Sequence, residues 1–182
     1  ICLVARRYGL VATPRADRWH GRPTALLGGV AIACTALALH LVFIGPQGAP
    51  VILLGTAAIF ALGLLDDLLS LKPVTKLVFE IAVASAFVFF GFRLGWTESL
   101  TLDTLLTIFW IVGFTNAFNL LDNMDGLAAG IGLIAAAFRG YFFLIDGNVE
   151  GVWLAWSLAG ALAGFLLFNF QPASIFMGDT GS

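Results

Sequence analysis

The chain has 182 residues, of which 60% are hydrophobic and only 11% charged, with a mean hydropathy of +0.98. A soluble domain carries about 25% charged residues, so this composition excludes one and marks an integral membrane protein. The net charge of −2 identifies no partner, because here the position of charges matters more than their sum.

The chain opens on Ile1 rather than Met and breaks off at Ser182 directly after a polar motif. It therefore reads as an internal piece of a longer protein, with residues 1–4 as the last turn of a helix. A basic stretch follows, with Arg6, Arg7, Arg15, Arg18 and Arg22 and with His20 among them. His20 reads as a phosphate or surface contact rather than a metal ligand. Apolar runs of about 20 residues, the length that crosses a bilayer, then occupy 25–44, 50–69, 74–92, 101–121, 127–145 and 152–170. Short polar or Gly/Pro-containing connections separate them. The two cysteines, Cys2 and Cys34, give neither metal spacing nor a disulfide framework. The expected fold is all-α: a polytopic transmembrane helix bundle of about six spans plus the end of a clipped first one, forming a single domain over 1–182.

Alternation of the loops sets the orientation. The stretch before residue 25 and the loop after 69, with Lys72 and Lys76, together carry seven cations, and the opposite side carries only Arg93. By the positive-inside rule the basic face is cytoplasmic. Counting crossings brings three acidic clusters to that face: Asp66 with Asp67, Asp122 with Asp125, and Asp179. Ionisable groups at membrane depth mark sites by default.

Asn116, Asn119, Asp122 and Asp125 recur every three residues, a spacing that makes helical neighbours. Carboxylates and amides grouped this way suit a hard cation such as magnesium. Asp66 and Asp67 point about 100° apart on a helix, so they perform different tasks: one can touch a metal while the other faces a second substrate. Lys76 is either a snorkelling anchor or a point charge for phosphate. In Phe176-Met177-Gly178-Asp179-Thr180-Gly181-Ser182, glycines let backbone amides approach an anion, and Phe176 can stack on a base. Glu80 and Arg139, inside spans, read as buried structural partners.

Taken in order, these motifs resemble the polyprenyl-phosphate N-acetylhexosamine-1-phosphate transferase family (glycosyltransferase family 4). The matching residues are His20-Gly21-Arg22-Pro23-Thr24 with Gly28-Gly29, Gly63-Leu64-Leu65-Asp66-Asp67 with Thr75-Lys76, the block from Asn116 to Ala128, and Asn169 with the segment from Phe176 to Ser182. The resemblance spans nearly the whole chain. The family's histidine-rich cytoplasmic loop, which helps define the sugar nucleotide, lies downstream of Ser182.

The resemblance implies attack of an undecaprenyl (polyprenyl) phosphate on a UDP-N-acetylhexosamine at the cytoplasmic face of the plasma (inner) membrane, with release of UMP. The product starts an envelope polymer such as O-antigen or teichoic acid. It assigns Mg²⁺, with Mn²⁺ as a substitute, to Asp179 and Asp122, and has Asp122 and Asp125 order the metal–diphosphate region. Asp66 and Asp67 would orient or deprotonate the lipid phosphate. Lys76, Asn119 and Asn169 would hold the nucleotide or its phosphates, His20 would join the substrate-binding set, and Phe176 would stack on uracil. Membrane lipid is a partner, a homodimer is allowed, and nucleic acid is not expected. The Leu-Asp-Asn-Met-Asp form of the central block favours an N-acetylglucosamine donor. Alternatives are the phospho-N-acetylmuramoyl-pentapeptide translocase branch, an intramembrane prenyltransferase with Asp-rich motifs, and a transporter built on the buried acids.

Overall fold

The computed structural model describes residues 11–12, 24–25, 27–45 and 50–182. The expected helix end at 1–4, the five arginines and His20 lie outside the described residues. A two-residue antiparallel pair, β1 (Val11–Ala12) with β2 (Thr24–Ala25), precedes six helices. These are α1 (Gly28–Phe43), α2 (Pro50–Leu69), α3 (Pro73–Phe89), α4 (Leu100–Leu121), α5 (Leu127–Ile145) and α6 (Val149–Asn169). All six coincide with the expected spans to within three residues.

The shifts at the ends have local causes. Helix α6 starts at Val149, earlier than its apolar run, because the Asn148 side chain accepts from the Gly151 amide at 2.9 Å and caps it. Pro73 opens α3, where its missing N–H costs nothing. Gly126 launches α5 from φ 73, a left-handed backbone that favours glycine.

Helices α2, α4, α5 and α6 are long and apolar enough to cross a membrane, whereas α1 has 16 residues and α3 17. The described part is thus that of a polytopic helical membrane protein. Helices α1, α5 and α6 pack through Ile32, Ala128, Ala129, Ala161, Leu162 and Phe165. Three of these six are alanines, small residues that permit the close approach of backbones by which helices associate in lipid. Large side chains such as Phe89, Phe109 and Leu167 are exposed, as a lipid-facing surface requires. Arg139, expected as a buried partner, is instead exposed, its guanidinium 4.0 Å from the centre of the Phe143 ring one turn on. A long stem lets it find that ring along the helix surface.

The up-and-down order gathers the starts of α1, α3 and α5 and the ends of α2, α4 and α6 at one end. The segment 170–182 turns back there, and Ile175 and Met177 add to the core.

Candidate active site

Segment 170–182 is held by bonds from every side. The Gly28 and Gly29 amides, which have no partner inside the first turn of α1, donate to the carbonyls of Phe176 (2.9 Å) and Met177 (2.8 Å). Asn169, 3% exposed, accepts from the Gly126 amide at 3.0 Å and donates to the Ile175 carbonyl at 2.9 Å. Asp125 accepts from the Ala173 amide at 3.1 Å, and Asp122 from the Gly178 amide at 3.1 Å. Asn119 donates to the Ser182 hydroxyl at 3.2 Å, which in turn donates to the Gly178 carbonyl at 3.2 Å.

The charged centre lies where α2, α3 and this segment meet. The Lys76 ammonium is 2.9 Å from Asp66 Oδ2 and 2.6 Å from Asp179 Oδ2. Asp66 Oδ1 accepts from the Leu71 amide at 2.6 Å, tying it to the turn after α2. Burial alone pushes the Asp179 carboxyl up. Hydrogen bonds with Asp66, Lys76 and Asn119 and the Lys76 charge outweigh it and hold the group below the ordinary carboxylate value. Asp67 turns elsewhere: Oδ1 accepts from the Asp179 amide at 3.0 Å, and Oδ2 from the Thr180 amide at 3.0 Å and from the Thr180 hydroxyl. The adjacent acids thus have different bonding partners, Asp66 the Lys76 ammonium and Asp67 the backbone of Asp179 and Thr180.

One turn beyond Lys76, Glu80 is 4% exposed and accepts from the Asn116 side chain, which also donates to the Val112 carbonyl at 2.9 Å. A polar pair thus joins α3 to α4 beneath the charged centre.

The four-residue polar face expected at the foot of α4 does not persist. The helix ends at Leu121, so three-residue spacing carries no geometry beyond it. Asn116 meets Glu80, Asn119 meets Ser182, Asp122 meets Gly178, and Asp125 meets Ala173. Asp66, Lys76, Asn119, Asp122 and Asp179 are brought together, with Asp67 behind them. Asp125 and Asn169 bond the earlier part of the segment. Phe176 is 8% exposed, its carbonyl on Gly28. Thr180, Ser182 and Gly63 stand in the motifs quoted from the sequence, but they carry no charge and the sequence assigns them no individual role.

Among the described residues no three His, Cys or carboxylate side chains converge as a ready metal cluster. Magnesium, however, is usually held by one or two carboxylates plus substrate phosphate oxygens. Asp179 and Asp122, joined through the Gly178 amide, suit that mode rather than an all-protein cage.

Residues 49–182 match the family model described as glycosyl transferase family 4. The chain is 35% identical over 190 residues to the probable undecaprenyl-phosphate N-acetylglucosaminyl 1-phosphate transferase of Bacillus subtilis, covering 98% of this chain and 53% of that protein. It is 36% identical over 209 residues to the decaprenyl-phosphate N-acetylglucosaminephosphotransferase of Mycobacterium tuberculosis, covering 99% and 52%. It is 32% identical over 189 residues to the phospho-N-acetylmuramoyl-pentapeptide-transferase of Streptococcus thermophilus, covering 89% and 55%. The chain spans about half the length of the curated relatives it matches.

Proposed function

The chain belongs to glycosyl transferase family 4, and from that premise we propose that it forms the centre of an enzyme transferring N-acetylglucosamine-1-phosphate from UDP-N-acetylglucosamine to undecaprenyl phosphate. UMP leaves, and the lipid-linked sugar starts a cell-envelope polysaccharide at the cytoplasmic face of the plasma membrane. The observation that carries this reading is the Asp66–Lys76–Asp179 constellation, assembled from the end of α2, the start of α3 and the returning segment. The cation bias of the loops supports the cytoplasmic side, and the names of the Bacillus and Mycobacterium relatives support the donor.

An oxygen of the lipid phosphate attacks the sugar-bearing phosphorus. That P–O bond forms as the bond to UMP breaks, and the electron pair leaves on the UMP oxygen. A phosphate monoester has its second pKa near about 6, so little deprotonation is needed and catalysis rests on positioning and charge neutralisation. Lys76, delivered between two carboxylates, is the point charge that meets a phosphate oxygen. Asn119 lies at the edge of the site and offers an amide to the donor. Asp66 orients the lipid phosphate and keeps Lys76 in place. Asp66, Asp122 and Asp179 outnumber Lys76, so two anionic substrates would be repelled without added positive charge. Mg²⁺ held by Asp179 and Asp122 would supply that charge and polarise the diphosphate.

The test uses the full-length protein in detergent with Mg²⁺ and undecaprenyl phosphate, given UDP-N-acetylglucosamine or UDP-N-acetylmuramoyl-pentapeptide separately. The expected result is UMP and lipid-linked sugar with the first donor only, abolished by EDTA and restored by Mg²⁺. UMP with only the second donor would place the protein with the pentapeptide transferases. No UMP from either donor, with inorganic pyrophosphate released when a prenyl diphosphate is supplied instead, would make it a prenyltransferase.

A further inference from the structure

We infer that Asp67 is a positioning residue: its carboxylate seats the backbone of Asp179 and Thr180 so that the Asp179 side chain meets Lys76. This rests on the transferase reading and assigns Asp67 a task other than touching the lipid phosphate. An ionised carboxylate offers about four acceptor sites, and three of Asp67's are filled by the Asp179 amide, the Thr180 amide and the Thr180 hydroxyl. Hydrogen bonds from backbone amides to a charged acceptor are the strong kind. The anchored amide belongs to the same residue whose carboxylate lies 2.6 Å from Lys76. A displacement of that peptide therefore passes directly into the charged centre.

The seat is shaped from both sides. Gly63 lies one turn before Asp67 on the same face of α2. A methyl group there would sit 2.6 Å from the Asp179 carbonyl carbon and 2.8 Å from Thr180 Cα. Gly178, at φ 74, comes so near Asp67 that a methyl group would sit 2.8 Å from Oδ2. On the far side a methyl group on Gly29 of α1 would sit 2.6 Å from Gly181 Cα. Glycines thus clear the space on three strands of backbone, and Asp67 supplies the bonds that fill it. Asp66, one residue earlier, bonds Lys76 and the Leu71 amide instead. The pair divides into one acid that faces the charged centre and one that holds the opposite carboxylate in register.

The full-length protein provides the test, with Asp67→Asn, Thr180→Val and Thr180→Ser. Hydrogen exchange, which needs no substrate, should show the peptide covering 176–182 exchanging about tenfold faster or more in Asp67→Asn, with α5 and α6 unchanged. Thr180→Val should lower kcat about tenfold with little change in donor KM, and Thr180→Ser should recover most of it. The Asp67→Asn/Thr180→Val double variant should be no slower than Asp67→Asn, because both remove one seat. The pH–rate profile of Asp67→Asn should keep its midpoints. The inference is overturned if exchange at 176–182 is unchanged, if Thr180→Val turns over at the wild-type rate, or if Asp67→Asn loses a limb of the pH profile. Absence of UMP release from the wild type would remove the transferase reading, while the exchange experiment would still decide the seat.

Discussion

Replacing Gly63 by alanine puts the smallest side chain between α2 and the backbone of Asp179. The new methyl group would lie 2.6 Å from the Asp179 carbonyl carbon and 2.8 Å from Thr180 Cα, where ordinary contact begins at 3.4 Å. Both neighbours are backbone and the Asp179 carbonyl oxygen lies nearer still, so the two elements must part by more than an ångström. Overpacking of this kind costs about 1–3 kcal/mol, and the better helix propensity of alanine returns about 1 kcal/mol. The variant should therefore insert and fold. Its chemistry should suffer far more, because a misplacement of about 1 Å in a catalytic group costs about 100-fold in rate. The moved group is the Asp179 carboxylate, now 2.6 Å from Lys76. UMP release by the full-length variant in detergent, with melting followed in parallel, is the assay. Gly113→Ala is the control, since a methyl group there meets nothing within 4 Å. A Gly63→Ala rate within about threefold of wild type would refute the reasoning.

Lys76→Met should lower transfer by about 100-fold or more and also lower the melting temperature, since it leaves Asp66 and Asp179 facing each other. Adding Asp66→Asn should recover stability but not activity, and a wild-type melting temperature in Lys76→Met would contradict this. Asn169→Ala strips partners from the buried Gly126 amide and Ile175 carbonyl. The expected loss is about 2–5 kcal/mol, read as a fall in melting temperature; an unchanged melt would show that Asn169 carries no structural load. The Asp179 carboxyl is held below its ordinary value of 3.8. Its contribution to stability is thus fully present above that value and lost as pH falls through the lower folded value. The melting difference between wild type and Asp179→Asn, measured across pH, should be flat from neutral down to about pH 4 and shrink only below it. A difference that vanishes near pH 6 would contradict the assigned direction.

The six helices were legible because an apolar run needs no knowledge of its partners, and α2 and α5 match their runs to the residue. Of the described helices, however, only α2, α4, α5 and α6 are long and apolar enough to cross a membrane. The acids of the site were legible for the complementary reason: Asp66 and Asp122 are charges at the ends of helices that otherwise exclude charge, and Asp179 stands in a Gly-rich polar motif just beyond the last apolar run. That Asp66 and Asp67 face different ways follows from the helical angle between adjacent residues.

What each acid touches was not legible. Lys76 bonds Asp179 across 103 residues of chain, and Asp67 reaches Thr180 across 113, distances over which no local pattern carries information. The three-residue polar spacing promised one face, but α4 ends at Leu121, and its last two acids went to different parts of the returning segment. The resemblance assigns Asn169 to the nucleotide or its phosphates, whereas the fold makes it a buried brace between Gly126 and Ile175. The sequence by itself determined the class of protein, its helices and the end at which its charges collect, because hydropathy and helical period act locally. Tertiary structure alone decided which charges pair and which hold backbone, because hydrogen bonds act only over about 3 Å and depend on how closely glycine-bearing helices let the final segment approach.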